Sequence, residues 1–214
     1  GYALYVNGDY GTVKGLSLSV NTRRINNAQI NANYTLSWAG GTGSNASGLY
    51  RIAWQGGNDP TFISPLDFDQ RHTGNITLDY RTGARSSIPF LNNFGANMLF
   101  RFGSGMPYTA TKPYTAVFGA IASQPIGSLN SANMPWTYNL DMKIDKSFSI
   151  AGVRMNAFLW VINALDNINV DDVYSPTGMA NNDGYLTTPS GESWLNNVAF
   201  DEECECPEAG AALY

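Results

Sequence analysis

From Trp136 to Ile150 the chain alternates with period two. Trp136, Tyr138, Leu140, Met142, Ile144, Lys146, Phe148 and Ile150 fall on one parity, and Thr137, Asn139, Asp141, Lys143, Asp145, Ser147 and Ser149 on the other. A β-strand turns successive side chains to opposite faces, so this run predicts a long strand with one greasy, aromatic face and one charged face. The same alternation recurs. Leu16, Leu18 and Val20 alternate with Ser17, Ser19 and Asn21; Ile30, Ala32, Tyr34, Leu36 and Trp38 alternate with Asn31, Asn33, Thr35 and Ser37. Gly74, Ile76, Leu78 and Tyr80 alternate with Thr73, Asn75, Thr77, Asp79 and Arg81, and Phe94, Ala96, Met98, Phe100 and Phe102 with Asn93, Gly95, Asn97, Leu99 and Arg101. The cations Lys14 and Arg24 fall only at the ends of their apolar row, where long side chains can snorkel.

A further strand is predicted from Val153. Ala151-Gly152 reads as a two-residue turn, which puts Val153, Met155, Ala157, Leu159 and Val161 with the apolar row. It also puts Phe158, Trp160 and Ile162 with the polar row, where a bulge shifting the phase, or packing against an internal element, would explain them. With a short strand at Tyr2–Val6, about seven strands are expected in an antiparallel up-and-down arrangement.

The connections have a parity of their own. Asn7–Gly11, Ile25–Ala28 and Ala151-Gly152 are short, whereas 39–70, 103–134 and 166–214 are long and fall on the other side. Long loops on one side and short turns on the other are the layout of outer-membrane β-barrels, and a soluble sandwich gives no reason for it. With the long loops outside, Trp38, Phe102, Trp136 and Tyr138 sit near the outer strand ends, and Tyr80, Phe94 and Phe148 near the inner ends. These form two aromatic girdles flanking an apolar band about 25 Å tall. The expected lipid-facing set is therefore Leu16, Leu18, Tyr34, Leu36, Trp38, Ile76, Leu78, Tyr80, Phe94, Met98, Phe100, Phe102, Trp136, Tyr138, Leu140, Met142, Ile144 and Phe148. The expected lumen-facing set is Asn31, Asn33, Asn75, Asp79, Arg101, Asn139, Asp141, Lys143 and Asp145. The fold class is thus all-β, an incomplete transmembrane barrel. Seven strands do not close one, so further strands are expected elsewhere in the polypeptide.

Composition agrees. Against only 14% charged residues stand 22 Gly, 12 Tyr and 10 Phe, a balance that favours strands and turns over helices. No apolar run is long enough for a membrane helix. A net charge of −5 excludes a phosphate-binding surface of the nucleic-acid kind. Cys204 and Cys206, two residues apart in an acidic tail, make neither a disulfide framework nor a four-ligand metal site.

No catalytic, cofactor or metal site is expected. His72 is the only histidine, and no Gly-x-Ser-x-Gly is present, so a Ser-His-Asp site has no basis. Gly41-Thr42-Gly43-Ser44-Asn45 lacks the Lys-Ser/Thr and the helix of a phosphate loop. Asp141 and Asp145 share a face, but Lys143 lies between them, and a salt-bridged lumen wall fits better than a glycosidase pair. Asp171-Asp172 and Asn181-Asn182-Asp183-Gly184 could bind calcium in an outer loop, yet the spacing is not that of an EF-hand.

Several stretches resemble the C-terminal barrel region of TonB-dependent receptors, the outer-membrane importers of bacteria. They are Asn7 to Leu16, Leu66-Asp67-Phe68-Asp69-Gln70-Arg71-His72-Thr73, Pro107-Tyr108-Thr109, Trp136 to Asp141, and Val161-Ile162-Asn163-Ala164-Leu165-Asp166-Asn167. The resemblance implies part of a barrel of about 22 strands, whose lumen holds an N-terminal plug coupled to TonB. The implied function is import of a scarce nutrient, such as a metal chelate or a glycan, captured by the outer loops. Plug, TonB-coupling segment and closing strand are all expected outside this chain, because Glu208 to Tyr214 carries no strand pattern. Two other classes fit the same rows: a secreted carbohydrate-binding β-sandwich using Trp38, Trp54 and Trp136 as stacking platforms, and a passive porin or adhesin barrel.

Overall fold

The computed structural model describes residues 10–45, 62–85, 88–113 and 124–199. It contains two compact units, Gly1–Tyr108 with Leu129–Asp171 and Thr109–Ser128 with Asp172–Tyr214.

The first unit is an antiparallel sheet. Its strands in chain order are β1 (Gly11–Asn21), β2 (Ala28–Gly41), β3 (Ser64–Pro65), β4 (His72–Arg81), β5 (Phe94–Gly103), β6 (Pro107–Tyr108), β7 (Ala132–Asn133), β8 (Thr137–Ile150) and β9 (Val153–Val161). The main sheet runs β1-β2-β4-β5-β8-β9, an up-and-down meander, with β3 added beside the end of β2; β6 and β7 form a separate ribbon. The sheet does not close on itself among the described residues. The strand expected at Tyr2–Val6 lies outside them, and the seventh member of the sheet is instead β3.

Two tight turns set the register. Asn26 and Asn27 both have positive φ between β1 and β2, and Ala151 and Gly152 do so between β8 and β9. That backbone matches the right-handed twist of the strands it joins. From there the partners run one to one: Leu18 faces Tyr34, Ala32 faces Ile76, Ile76 faces Phe100, and Phe100 faces Leu140. Directly opposed residues share a face, so the apolar rows of all six long strands merge into one continuous face and the polar rows into the other. The ring of Phe102 lies across Gly74, where a Cβ would fall 2.5 Å from its Cζ.

No bulge interrupts β9. Its register runs unbroken from Ile150 opposite Val153 to Met142 opposite Val161, which places Phe158 and Trp160 on the polar face. The Lys143 ammonium lies 5.3 Å from the Phe158 ring centroid. Lys143 therefore does not bridge Asp141 and Asp145. Arg24 also departs from expectation: β1 ends at Asn21, and Arg24 pairs with Asp79 on the polar face instead of extending the apolar row. Lys146, opposite Phe94 on the apolar face, turns to the carbonyls of Phe90 and Asn92, the latter at 2.8 Å.

The sheet is a single layer. Among the described residues no second sheet packs on either face, and the buried apolar side chains are only Ala39, Leu66 and Val173. Leu16 is 54% exposed and Leu159 62%. Interiors of water-soluble proteins bury such side chains, each worth about 1.5–3 kcal/mol.

The second unit contains what the sequence pattern did not predict, a helix α1 (Pro189–Ala199) within the expected loop 166–214. Thr188 caps it, its hydroxyl accepting from Gly191 N–H at 3.1 Å, and Pro189 fills the first helical position, where a missing N–H costs nothing. Thr111 N–H donates to Ser175 O at 3.1 Å in the same unit.

Candidate functional site

The strand register brings polar side chains into rungs across the sheet. Ser19, Asn33, Asn75, Arg101 and Asn139 stand opposite one another on five neighbouring strands. The next rung toward the long loops is Ser17, Thr35, Thr73, Gly103 and Thr137. The members of these rungs on β2, β4, β5 and β8, with Gln70, Leu99 and Asn169, line an open trough of about 550 Å³. The absence of a side chain at Gly103 lets the Gln70 carboxamide lie against the backbone: a Cβ there would meet Gln70 Nε2 at 2.5 Å and Thr137 Oγ1 at 3.3 Å.

The carboxylates of Asp79, Asp141 and Asp145 on this face are paired with arginines. Arg101 donates to Asp141 at 2.6 Å and to Asn139 Oδ1 at 3.4 Å. Deeper, Asp79 takes Arg24 and, at 3.3 Å, Arg81, whose other nitrogen lies 3.8 Å from Asp145. Both carboxylates of the Asp141/Asp145 pair thus face arginines. The expected salt-bridged wall is present, built by Arg81 and Arg101 rather than by Lys143.

The segment Leu66–Thr73 fastens the trough to the sheet. Asp69, 4% exposed, accepts from Ala39 N–H at 2.6 Å and from Arg71 at 2.9 Å. Gln70 donates to Ser104 O at 2.9 Å, and Ser104 Oγ accepts from His72 N–H at 2.9 Å. Asp67 accepts from Asn130 at 2.7 Å. The Arg71 guanidinium lies 5.5 Å from the centre of Trp38.

On the other face His72 joins an aromatic belt at the long-loop end. It stacks on Trp136 at 5.4 Å and shares a 2.8 Å hydrogen bond with the Tyr34 hydroxyl. Trp136 stacks on Tyr138, Tyr138 on Phe100, and Tyr34 on Phe102. The only histidine is accordingly a member of the belt.

Beyond β9 the chain stays on the edge of β8 through asparagines. Asn163 N–H donates to Asp141 at 3.0 Å, and Asn167 and Asn169 both donate to Tyr138 O, at 3.3 and 2.9 Å. Asn163 and Asp166 take positive φ to allow this.

Every residue of the expected lipid-facing set lies on the apolar face or, for Trp136, immediately before β8 and stacked into it. The expected lumen-facing residues all lie on the opposite face; Asn33, Asn75, Arg101 and Asn139 meet in the trough, and Asp79, Asp141, Lys143 and Asp145 lie deeper. Sequence reasoning did not single out Thr35, Thr73, Thr137, Gln70 or Asn169; the first three sit one rung away and become visible once the turns fix the register. Trp38 and Trp136 belong to the apolar face, not to the trough, and Trp54, Cys204 and Cys206 lie outside the described residues. In the second unit the side chains of Asp172, Asn182 and Asp183 accept from Val173, Gly184 and Tyr185 N–H groups, closing local turns. Among known proteins, no family model, curated protein or solved structure matches the chain.

Proposed function

We propose that this chain is part of the barrel wall of a TonB-dependent outer-membrane receptor, a non-enzymatic importer of a scarce nutrient such as a metal chelate or a glycan. One observation carries the reading: a single-layered antiparallel sheet presents a continuous apolar face on which no second sheet packs among the described residues, while its opposite face carries a ladder of ion pairs. A bilayer is the partner that such a face fits. Its aromatic belt at the long-loop end suits the membrane–water interface, and its centre carries no charge that would cost about 2–4 kcal/mol in lipid. The edges of β1 and β9, unpaired among the described residues, take further strands of the same wall, and the polar face looks into a lumen that holds the plug. The plug, reached by TonB, supplies the energy coupling; the outer loops meet the nutrient.

The test is made on the full polypeptide that carries this chain. It fractionates with outer membranes, resists carbonate extraction, and migrates faster on electrophoresis before boiling than after. Growth on the scarce nutrient requires both the protein and TonB. A carbonate-soluble protein contradicts the barrel, and TonB-independent uptake favours a passive pore.

A further inference from the structure

The trough on the polar face is chemically selective. Its central rung is a row of carboxamides, Asn33, Asn75 and Asn139, interrupted by Arg101. Neighbouring strands lie about 4.8 Å apart, so these groups recur at that interval along a line across the sheet. Each carboxamide offers both donors and an acceptor. Asn33 spends its oxygen on Ser19 at 2.7 Å and Asn139 its oxygen on Arg101, which leaves both amide donors toward the trough. The Asn75 side chain makes no hydrogen bond among the described residues. The adjoining rung adds the hydroxyls of Thr73 and Thr137.

The same trough has no unmatched positive charge. Among the described residues that line it Arg101 is the only cation, and Asp141 neutralises it at 2.6 Å. An anionic metal chelate entering here would have to break that pair or remain uncompensated, and a desolvated unpaired charge is costly. An uncharged ligand dense in hydroxyl groups meets matching donors and acceptors at no such cost.

Building on the receptor reading, we infer that this trough is a binding site for a neutral, polyhydroxylated ligand, an uncharged oligosaccharide, and that Asn75 and Asn139 are its central contacts. The amide row reads the ligand's hydroxyls, and Arg101 donates with its remaining N–H groups.

The experiment uses the full polypeptide in detergent. Isothermal titration is run with maltohexaose, cellohexaose, xylohexaose and a linear fructan, and with a ferric catecholate chelate as the anionic comparison. At least one neutral oligosaccharide binds, with an affinity little changed by raising salt. N75A/N139A weakens it about tenfold or more, as losing two contacts of roughly 1 kcal/mol each predicts. K143Q, outside the trough, leaves it unchanged. Membrane insertion of N75A/N139A, scored by its heat-dependent mobility, shows that the variant has folded. Binding of the chelate alone, binding of no probe, or an unchanged affinity in folded N75A/N139A overturns the inference. If the amide row instead holds the plug, N75A/N139A lowers plug retention without altering sugar affinity, which overturns it as well. Sugar binding by a protein that is soluble without detergent sinks the receptor reading and leaves this site standing.

Discussion

The carboxamide of Asn169 holds the main chain of Tyr138 from both sides. Its Oδ1 accepts from Tyr138 N–H at 2.8 Å and its Nδ2 donates to Tyr138 O at 2.9 Å. One side chain thereby performs the pairing of a strand residue, at the level where β9 has already left the edge of β8.

Replacing Asn169 by Ala removes both bonds. At about 1 kcal/mol for each hydrogen bond, N169A lowers the stability of the protein by roughly 1–2 kcal/mol. The more specific readout is hydrogen exchange, in which the Tyr138 amide loses protection while the Phe100 amide keeps its own. An N169A protein whose Tyr138 amide stays protected removes the strand-mimic role.

Asp69 is the anchor of the segment before β4. Asp69→Ala leaves a buried Ala39 N–H without an acceptor and Arg71 without its carboxylate, a loss of about 2–4 kcal/mol. The predicted outcome is a lower unfolding temperature and less heat-resistant mobility on electrophoresis. Asp69→Asn keeps an acceptor for Ala39 and recovers part of the loss. Equal stability of D69A and the parent protein contradicts this anchoring.

Ala151 sits in the left-handed region at φ 50°. An L-residue with a Cβ is strained there, and Asn and Gly relieve it. Ala151→Asn or Ala151→Gly therefore raises stability by about 0.5–1 kcal/mol, and Ala151→Val lowers it, as read from urea midpoints of the refolded protein. A hairpin indifferent to all three contradicts the turn geometry.

What was legible in the sequence follows the range of the forces involved. Strand positions and faces depend on a local period of two, so Leu36, Ile76, Met98 and Asp141 could be assigned from their neighbours alone. The tight turn at Ala151-Gly152 pointed to the phase that β9 takes, but Phe158 and Trp160 left a bulge open until the unbroken register removed it. Helix α1 was missed because its apolar pattern is weak, although Thr188-Pro189 carried the start signal of an N-cap followed by proline. Arg24 was misplaced because a strand that stops at Asn21 releases the residues after it from the alternation. The roles of Asp69, Asn163 and Asn169 depend on partners about thirty residues away or on backbone groups, which no local period encodes. The trough was half visible: its asparagines and Arg101 stood on the expected polar face, but which of them share a rung depends on register.

The central claim is that the apolar face meets lipid and the polar face does not. Spin labels placed singly at Ile76, Thr77, Leu78, Met98, Asn97, Met142 and Lys143, in a protein with Cys204 and Cys206 replaced by serine, measure this directly through collision with oxygen and with a water-soluble nickel chelate. Labels at Ile76, Leu78, Met98 and Met142 are predicted to favour oxygen, and those at Thr77, Asn97 and Lys143 the nickel chelate or neither, with period two along each strand. Nickel accessibility at Ile76, Leu78, Met98 and Met142 equal to that at Thr77 would contradict a membrane wall.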